Sequence, residues 1–255
     1  MEINETLSAI VTGGASGLGE ATARMLSSMG AKVAIFDLDI EKGSTIAKEL
    51  NSDFYEVDVS DVNSVNKAVL DFSKQNEGIQ VAVNCAGIGP AAKTVSRGEA
   101  HSSELFAKVI NINLIGTFNV ASVCAAQMVK NDKCSEDGLR GVIINTASVA
   151  AYDGQVGQAA YSASKGGVVG LTLPMARDLS DKGVRVCSIA PGLFLTPLLE
   201  SLPTEVQESL GGQVPFPSRL GKPKEFAHLV CHIIENDMLN GEVIRLDGAI
   251  RMAPR

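Results

Sequence analysis

Apolar positions in this chain gather in short unbroken runs, and longer stretches with helical spacing lie between them. The runs Leu7 to Thr12, Lys32 to Phe36, Phe54 to Val57, Gln80 to Val83, Gly141 to Asn145, Val184 to Ile189 and Glu242 to Leu246 read as seven strands. Residues 17–29, 41–50, 61–76, 102–130, 159–181 and 224–236 read as helices. A strand that is apolar at every position has both faces covered, and strands alternating with helices build βαβ units and a parallel sheet. Right-handed crossovers then give one Rossmann-like, doubly wound α/β domain across residues 1–255, a seven-stranded parallel sheet with helices on both faces. No linker, repeat or low-complexity run divides it. Stretches 88–101, 131–140 and 191–220 follow neither periodicity. The first and last follow strands at the edge where open α/β sheets bind ligands, so loops near 88–101 and 191–220 are expected to hold substrate.

A formal charge of -7 and a pI near 5.1 disfavour non-specific binding to nucleic acid or anionic membrane. The five cysteines are irregularly spaced and form no Cys-x-x-Cys, which fits free thiols in a reducing compartment. The amino terminus has no basic region and enters a strand within seven residues, so it reads as neither a signal nor a transit peptide. A cytoplasmic protein is expected, with no uncharged apolar stretch of the ~18 residues that a membrane helix needs.

Chemistry enters directly after the first strand, at Thr12-Gly13-Gly14-Ala15-Ser16-Gly17-Leu18-Gly19. Glycines there permit a tight turn and a close approach of backbone to a pyrophosphate, and the helix that follows offers free N–H groups to it. Ser16 adds a hydroxyl. Asp37, at the end of the second strand, can accept hydrogen bonds from an adenosine ribose, and its carboxylate repels a 2'-phosphate. With no Arg or Lys at Ser16 or Leu38 to offset that repulsion, NAD is favoured over NADP. Asp58-Val59 and Asn84-Cys85-Ala86-Gly87 fall at the next two strand ends, where Asp58 can hold the adenine amino group, Val59 can pack on the ring and small residues let the chain pass close to the cofactor.

Tyr161 and Lys165 lie four apart, on one face of an expected helix, and neither Tyr55 nor Tyr152 has such a partner. Ser148 ends the fifth strand 13 residues earlier. Serine, tyrosine and lysine together suit the interconversion of an alcohol and a carbonyl: Ser148 binds the oxygen, Tyr161 exchanges its proton and a nicotinamide exchanges the hydride. Lowering a phenol from about 10 to near 7 needs about 4 kcal/mol of preference for phenolate. Lys165 and an oxidised nicotinamide ring are the expected sources. Asn113, in an otherwise apolar helix, is a candidate for a proton-relay water or, alternatively, a core amide bonded to backbone.

Taken together, Thr-Gly-x3-Gly-x-Gly at 12–19, Asn-Cys-Ala-Gly at 84–87, Asn113, Ser148, Tyr161-x3-Lys165 and Pro191-Gly192 resemble the short-chain dehydrogenase/reductase family over essentially the whole chain. The family's usual Asn-Asn-Ala-Gly has cysteine at Cys85 here. The runs around Asn84, Ser148, Tyr161 and Pro191, with Asn240 to Met252, are similar to the family's 3-hydroxyacyl-CoA dehydrogenase branch. The resemblance implies an NAD-dependent homotetramer that oxidises acyl-CoA thioesters, with side activity on steroids and simple alcohols. It puts cofactor contacts on Ser16, Leu18, Asp37, Asp58, Val59, Cys85, Tyr161, Lys165, Phe194 and Thr196, substrate contacts on Ser148 and Gln155, and makes the mitochondrial matrix the alternative location.

No metal is expected: His228 and His232 sit four apart without a third ligand in view. Lys93, Arg97 and His101 are candidates for CoA phosphates, and Phe194, Leu195, Leu198, Leu199 and Leu202 for an apolar lid or plain helix packing. Two other readings stand beside the acyl-CoA enzyme, a hydroxysteroid or other secondary-alcohol dehydrogenase and a non-catalytic scaffold.

Overall fold

The structure is a computed structural model that describes residues 1–254, apart from the side chain of Leu198. Seven parallel strands form one sheet in the order β3-β2-β1-β4-β7-β8-β9. They are β1 (Ser8–Thr12), β2 (Lys32–Asp37), β3 (Asp53–Glu56), β4 (Val81–Asn84), β7 (Gly141–Thr146), β8 (Val184–Pro191) and β9 (Val243–Leu246), each within two residues of the strand expected from its apolar run. Between them run α1 (Gly17–Ser28), α2 (Ile40–Leu50), α3 (Val62–Gln75), α4 (Ser103–Ile110), α5 (Thr117–Met128), α6 (Ala159–Asp178) and α9 (Pro223–Glu235).

The helices start where short acceptors cap them. Asp39 takes the Lys42 N–H at 3.0 Å at the start of α2, Asp61 takes the Asn63 N–H at the start of α3, and Ser102 takes the Leu105 N–H at 3.1 Å at the start of α4. At α9, Pro223 occupies the first turn, and Glu225 accepts both the Lys222 N–H and the Arg219 guanidinium. That pairing holds the Glu225 carboxyl down at about 2.

Every residue of β1, β4, β7 and β8 is buried, so side chains feed two cores. One, with Val11, Leu26, Ile35, Ile144 and Phe226, lies under α1 and α9; the other, with Ile10, Phe36, Phe72, Val120 and Ile143, lies under α3 and α5. Burying each of Phe36, Phe72 and Phe226 contributes roughly 1.5–3 kcal/mol.

Four departures from the sequence reading matter. The stretch 88–101 carries a short antiparallel hairpin, β5 (Val95–Ser96) and β6 (Glu99–Ala100), turned by Arg97 and Gly98 at φ +53 and +85. The stretch 191–220, read as irregular, contains α7 (Pro197–Glu200) and α8 (Thr204–Gly211). The helix expected at 102–130 is interrupted by a π-helical segment, Asn111–Gly116. Contrary to expectation, Ser103–Met128 taken whole is long and apolar enough to cross a membrane. Its Val109, Val120, Ala121, Cys124 and Met128 are buried in the protein's own interior, which accounts for the apolar composition.

Because β2 and β3 lie to one side of β1 and the remaining strands to the other, the strand order reverses between β1 and β4. The crevice at their carboxyl ends is where such sheets receive ligands.

Candidate active site

The turn after β1 is built for close backbone contact. Gly13 has φ +63, and a Cβ there would stand 2.8 Å from the Ala86 nitrogen at the end of β4. Thr12 closes the same seam by accepting the Cys85 and Ala86 N–H groups, each at 3.1 Å. Gly19 packs directly on the Gly13 carbonyl. Ser16 is the N-cap of α1 but makes no capping bond with its side chain, which leaves first-turn N–H groups without an intrahelical partner. Asp37 accepts the Ala15 N–H on one carboxylate oxygen and the Asp39 N–H on the other, both at 3.0 Å. The carboxylate is thereby pinned beside the glycine-rich turn.

The other expected cofactor residues surround this turn. Asp58 is exposed and accepts from the backbone and hydroxyl of Ser60 at 2.9 and 2.7 Å; Val59 is buried against Gly116, with its carbonyl held by Asn119 at 3.0 Å. Leu18 is half-buried against the core. Gly192, after Pro191, donates its N–H to the Leu246 carbonyl at 2.9 Å. From there the chain crosses to the glycine-rich turn, and a Cβ on Gly17 would touch Pro197 at 3.4 Å and Thr196 at 3.6 Å. The Phe194 ring is packed on Gly221 and lines, with Val214 and Leu246, a pocket of about 120 Å³. Leu195, Leu199 and Leu202 are half-buried around α7, whereas the side chain of Leu198 lies outside the described residues. A turn whose glycines admit no side chain, a helix amino end with uncapped amides and a fixed carboxylate at the second strand end fit a dinucleotide.

Ser148, Tyr161 and Lys165 come together beside that crevice. Ser148 is buried, accepts the Ala150 N–H at 3.1 Å and is hydrogen-bonded to the Tyr161 hydroxyl. Lys165 is 4% exposed, with its Nζ donating to the Thr146 carbonyl at 2.6 Å and standing 5.8 Å from the centre of the Tyr161 ring. Burial pushes the Tyr161 phenol above its ordinary value, and the bond to Ser148 pulls it back part of the way. Burial also lowers the Lys165 ammonium to about 8. The protein alone therefore keeps the phenol protonated; the lowering expected from Lys165 together with an oxidised nicotinamide ring concerns the loaded site.

Two expected roles change on this geometry. Asn113 sits in the π-helical segment with its side chain spent: Oδ1 accepts the Ile88 N–H at 2.8 Å, and Nδ2 donates to the Ile88 carbonyl at 2.8 Å and to Ser164 at 3.0 Å. The side chain is a backbone clamp, the core-amide reading of the two the sequence left open. It fixes the loop that carries Gly89 against the Tyr161 ring, where a Cβ would lie 3.5 Å away. Gln155, expected at the substrate, turns its amide donor to the Ala253 carbonyl at 2.9 Å. His101 is also occupied, bonded to the Ser102 carbonyl and edge-on to Phe106, while Lys93 and Arg97 are exposed.

Thr146 and Ser164, and the pairing of Asn84 with Asn145, were not singled out from the sequence. Thr146 offers its carbonyl to Lys165 and its hydroxyl to the Cys85 sulfur at 3.4 Å, and Ser164 bridges Asn113 to the Tyr161 carbonyl at 2.7 Å. Asn84 donates to Asn145 at 2.9 Å and joins the ends of β4 and β7; Asn84 Oδ1 and Asn145 Nδ2 have no partner among the described residues. The only sequence signal for these was the placing of short polar residues at strand ends and one helical turn from Tyr161.

Comparison with known proteins agrees with this arrangement. The family model for short chain dehydrogenases matches residues 8–207. The 3-hydroxyacyl-CoA dehydrogenase type-2 of Bos taurus is 58% identical over 253 residues, covering 97% of this chain and 96% of the relative. Its Homo sapiens counterpart is 56% identical over 252 residues, with the same two coverages. The crystal structure of 3-hydroxyacyl-CoA dehydrogenase type-2 from Mycobacterium avium superposes with a TM-score of 0.94 at 44% identity, over 98% of each chain.

Proposed function

Since this chain belongs to the short-chain dehydrogenase family, we propose that it is an NAD-dependent dehydrogenase that interconverts the secondary alcohol of a 3-hydroxyacyl-CoA thioester and the corresponding ketone. The observation that carries this reading is the meeting of Ser148, Tyr161 and Lys165 beside a glycine-rich turn that Asp37 braces. The relatives' names supply the substrate class.

Each residue's part follows from its surroundings. Ser148 accepts a backbone N–H on its oxygen and turns its hydroxyl to the Tyr161 oxygen, so a substrate oxygen seated between the two can take that proton in hydrogen bond. Tyr161 takes the alcohol proton in oxidation and returns it in reduction. Lys165, held by Thr146, presents its remaining ammonium protons to the site and favours the phenolate as it forms. Asn113 and Ser164 keep the backbone around Tyr161 in place. When bound, the nicotinamide takes up or gives the hydride. Gly13, Ser16, Gly17, Gly19, Asp37, Cys85, Ala86, Gly87, Lys165 and Thr196 would hold the dinucleotide. Lys93 and Arg97, exposed on the 88–101 loop, are suited to the CoA phosphates.

A homotetramer is part of the same proposal. It is supported by β9, which borders the sheet and pairs on one side only with β8, and by the exposed Ile115, Phe118 and Leu173 along the helices from the π-helical segment to α6.

The test is a panel of short 3-hydroxyacyl-CoA thioesters, hydroxysteroids and simple secondary alcohols, with NAD and NADP in parallel. Highest kcat/KM is expected for a 3-hydroxyacyl-CoA with NAD; no NAD reduction with any thioester would overturn the substrate assignment. Asp37→Ala should weaken NAD by about tenfold, the loss of hydrogen bonds to a charged group, while NADP use rises relative to NAD. An unchanged NAD:NADP ratio would remove Asp37 from cofactor choice.

A further inference from the structure

The chain passes from Ser148 to Tyr161 through a loop, residues 152–158, whose outer edge is held by the carboxyl-terminal segment. The Val156 N–H donates to the Pro254 carbonyl at 3.0 Å, and Gln155 Nε2 donates to the Ala253 carbonyl at 2.9 Å. Arg245, on β9, ties the two together. Its guanidinium bonds Asp153 in the loop at 2.7 Å, the Ile250 carbonyl at 3.0 Å and Asp247 at 2.8 Å, and stands 5.2 Å from the centre of the Tyr152 ring. The Arg245–Asp153 pair is about four-fifths buried on both sides, so water screens it far less than a surface pair.

The inner edge of the same loop reaches the reaction centre. The Gly157 carbonyl accepts the Ala92 N–H at 2.9 Å, and three residues earlier in the 88–101 loop Gly89 lies against the Tyr161 ring. Gly154 and Gly157, the latter at φ +89, give the loop little stiffness of its own. Its position is therefore set by what it touches.

We infer that Arg245 and the carbonyls of Ala253 and Pro254 are positioning residues, which hold the 152–158 loop against the 88–101 loop and so shape the wall that a bulky acyl thioester meets beside Ser148 and Tyr161. This rests on the reading of those two residues as the reaction centre. A small alcohol makes little use of such a wall, so the segment discriminates by substrate size.

The experiment compares the full chain with a chain ending at Arg251 and, should that fold poorly, with Asp153→Asn. Hydrogen exchange at the Val156 amide, KM and kcat for a short 3-hydroxyacyl-CoA, kcat/KM for a small secondary alcohol, and NAD Kd are measured on each. Loss of the Pro254 and Ala253 bonds is expected to raise Val156 exchange and the thioester KM by about tenfold each. Values of kcat, small-alcohol kcat/KM and NAD Kd should stay within about twofold by the same argument. Unchanged Val156 exchange overturns the proposal, because the tail then does not hold the loop. So does faster exchange with unchanged KM, or a rise in NAD Kd that parallels the rise in KM, which is general loosening. A full-length protein inactive on every thioester refutes the substrate reading instead. Exchange, and KM for the bulkiest secondary alcohol that it does turn over, then decide the present proposal.

Discussion

Tyr161→Phe is expected to lower kcat by about 10³-fold, within the range spanned by loss of a positioned general acid or base, and to leave NAD affinity within about twofold. The phenyl ring keeps the packing on Gly89 and lacks only the hydroxyl that meets Ser148. Steady-state kinetics and NAD titration of the two proteins measure this directly. The wild-type pH profile carries a second signature. Burial raises the Tyr161 phenol and the Ser148 bond only partly offsets it, so the base form accumulates as pH rises. Alcohol oxidation should climb into the alkaline range, whereas carbonyl reduction, which needs the protonated phenol, should not. Activity retained in Tyr161→Phe would place the proton transfer elsewhere.

Lys165→Met should move activity and stability in opposite directions. Burial takes the ammonium from an ordinary 10.5 down to about 8. That drop corresponds to roughly 3 kcal/mol of charge-burial cost. The cost is present in full below pH 8, shrinks as pH rises between the folded and unfolded values, and is gone above the unfolded one, because only the unfolded chain still holds the proton in that window. Methionine removes the cost and fills the space, but leaves the Thr146 carbonyl without its donor, a loss of about 1 kcal/mol. A net gain of about 2 kcal/mol at pH 7 is expected, or about 4–8 °C in Tm for a chain of this size. The gain should fade as pH approaches 10.5. Turnover should fall by about a hundredfold. Urea midpoints of the two proteins at neutral and alkaline pH test the stability half; a variant less stable at pH 7, with the same pH dependence as wild type, would mean that Lys165 is not a burdened charge.

How much of this could be read from the chain depends on the range of the forces involved. The seven strands were legible because βαβ burial makes each an unbroken apolar run. The meeting of Tyr161 with Lys165 needed only helical spacing. Helices α7 and α8 were missed because they are short and lie in a stretch without a periodic apolar face. The π-helical turn at Asn113 was hidden because the apolar spacing through it still reads as one helix. Gln155 went to Ala253, 98 residues away in sequence, and Arg245 to Asp153, 92 away; local pattern carries no trace of either. The upward pull of burial on Tyr161 was illegible for a related reason, since burial is a property of the assembled fold.

Cys85, the cysteine at the second position of the Asn-Cys-Ala-Gly run, bears on the protein's chemical durability. Its sulfur accepts the Thr146 hydroxyl on a half-buried residue, and desolvation pushes the thiol up to about 11 despite the nearby Lys165. At neutral pH only about one in ten thousand such groups is ionised, and the thiolate is the species that alkylating agents and peroxides attack. A cysteine at the reaction centre is commonly the point at which an enzyme is poisoned. With its thiol held protonated, Cys85 should react more slowly with oxidants and electrophiles than an ordinary exposed thiol does.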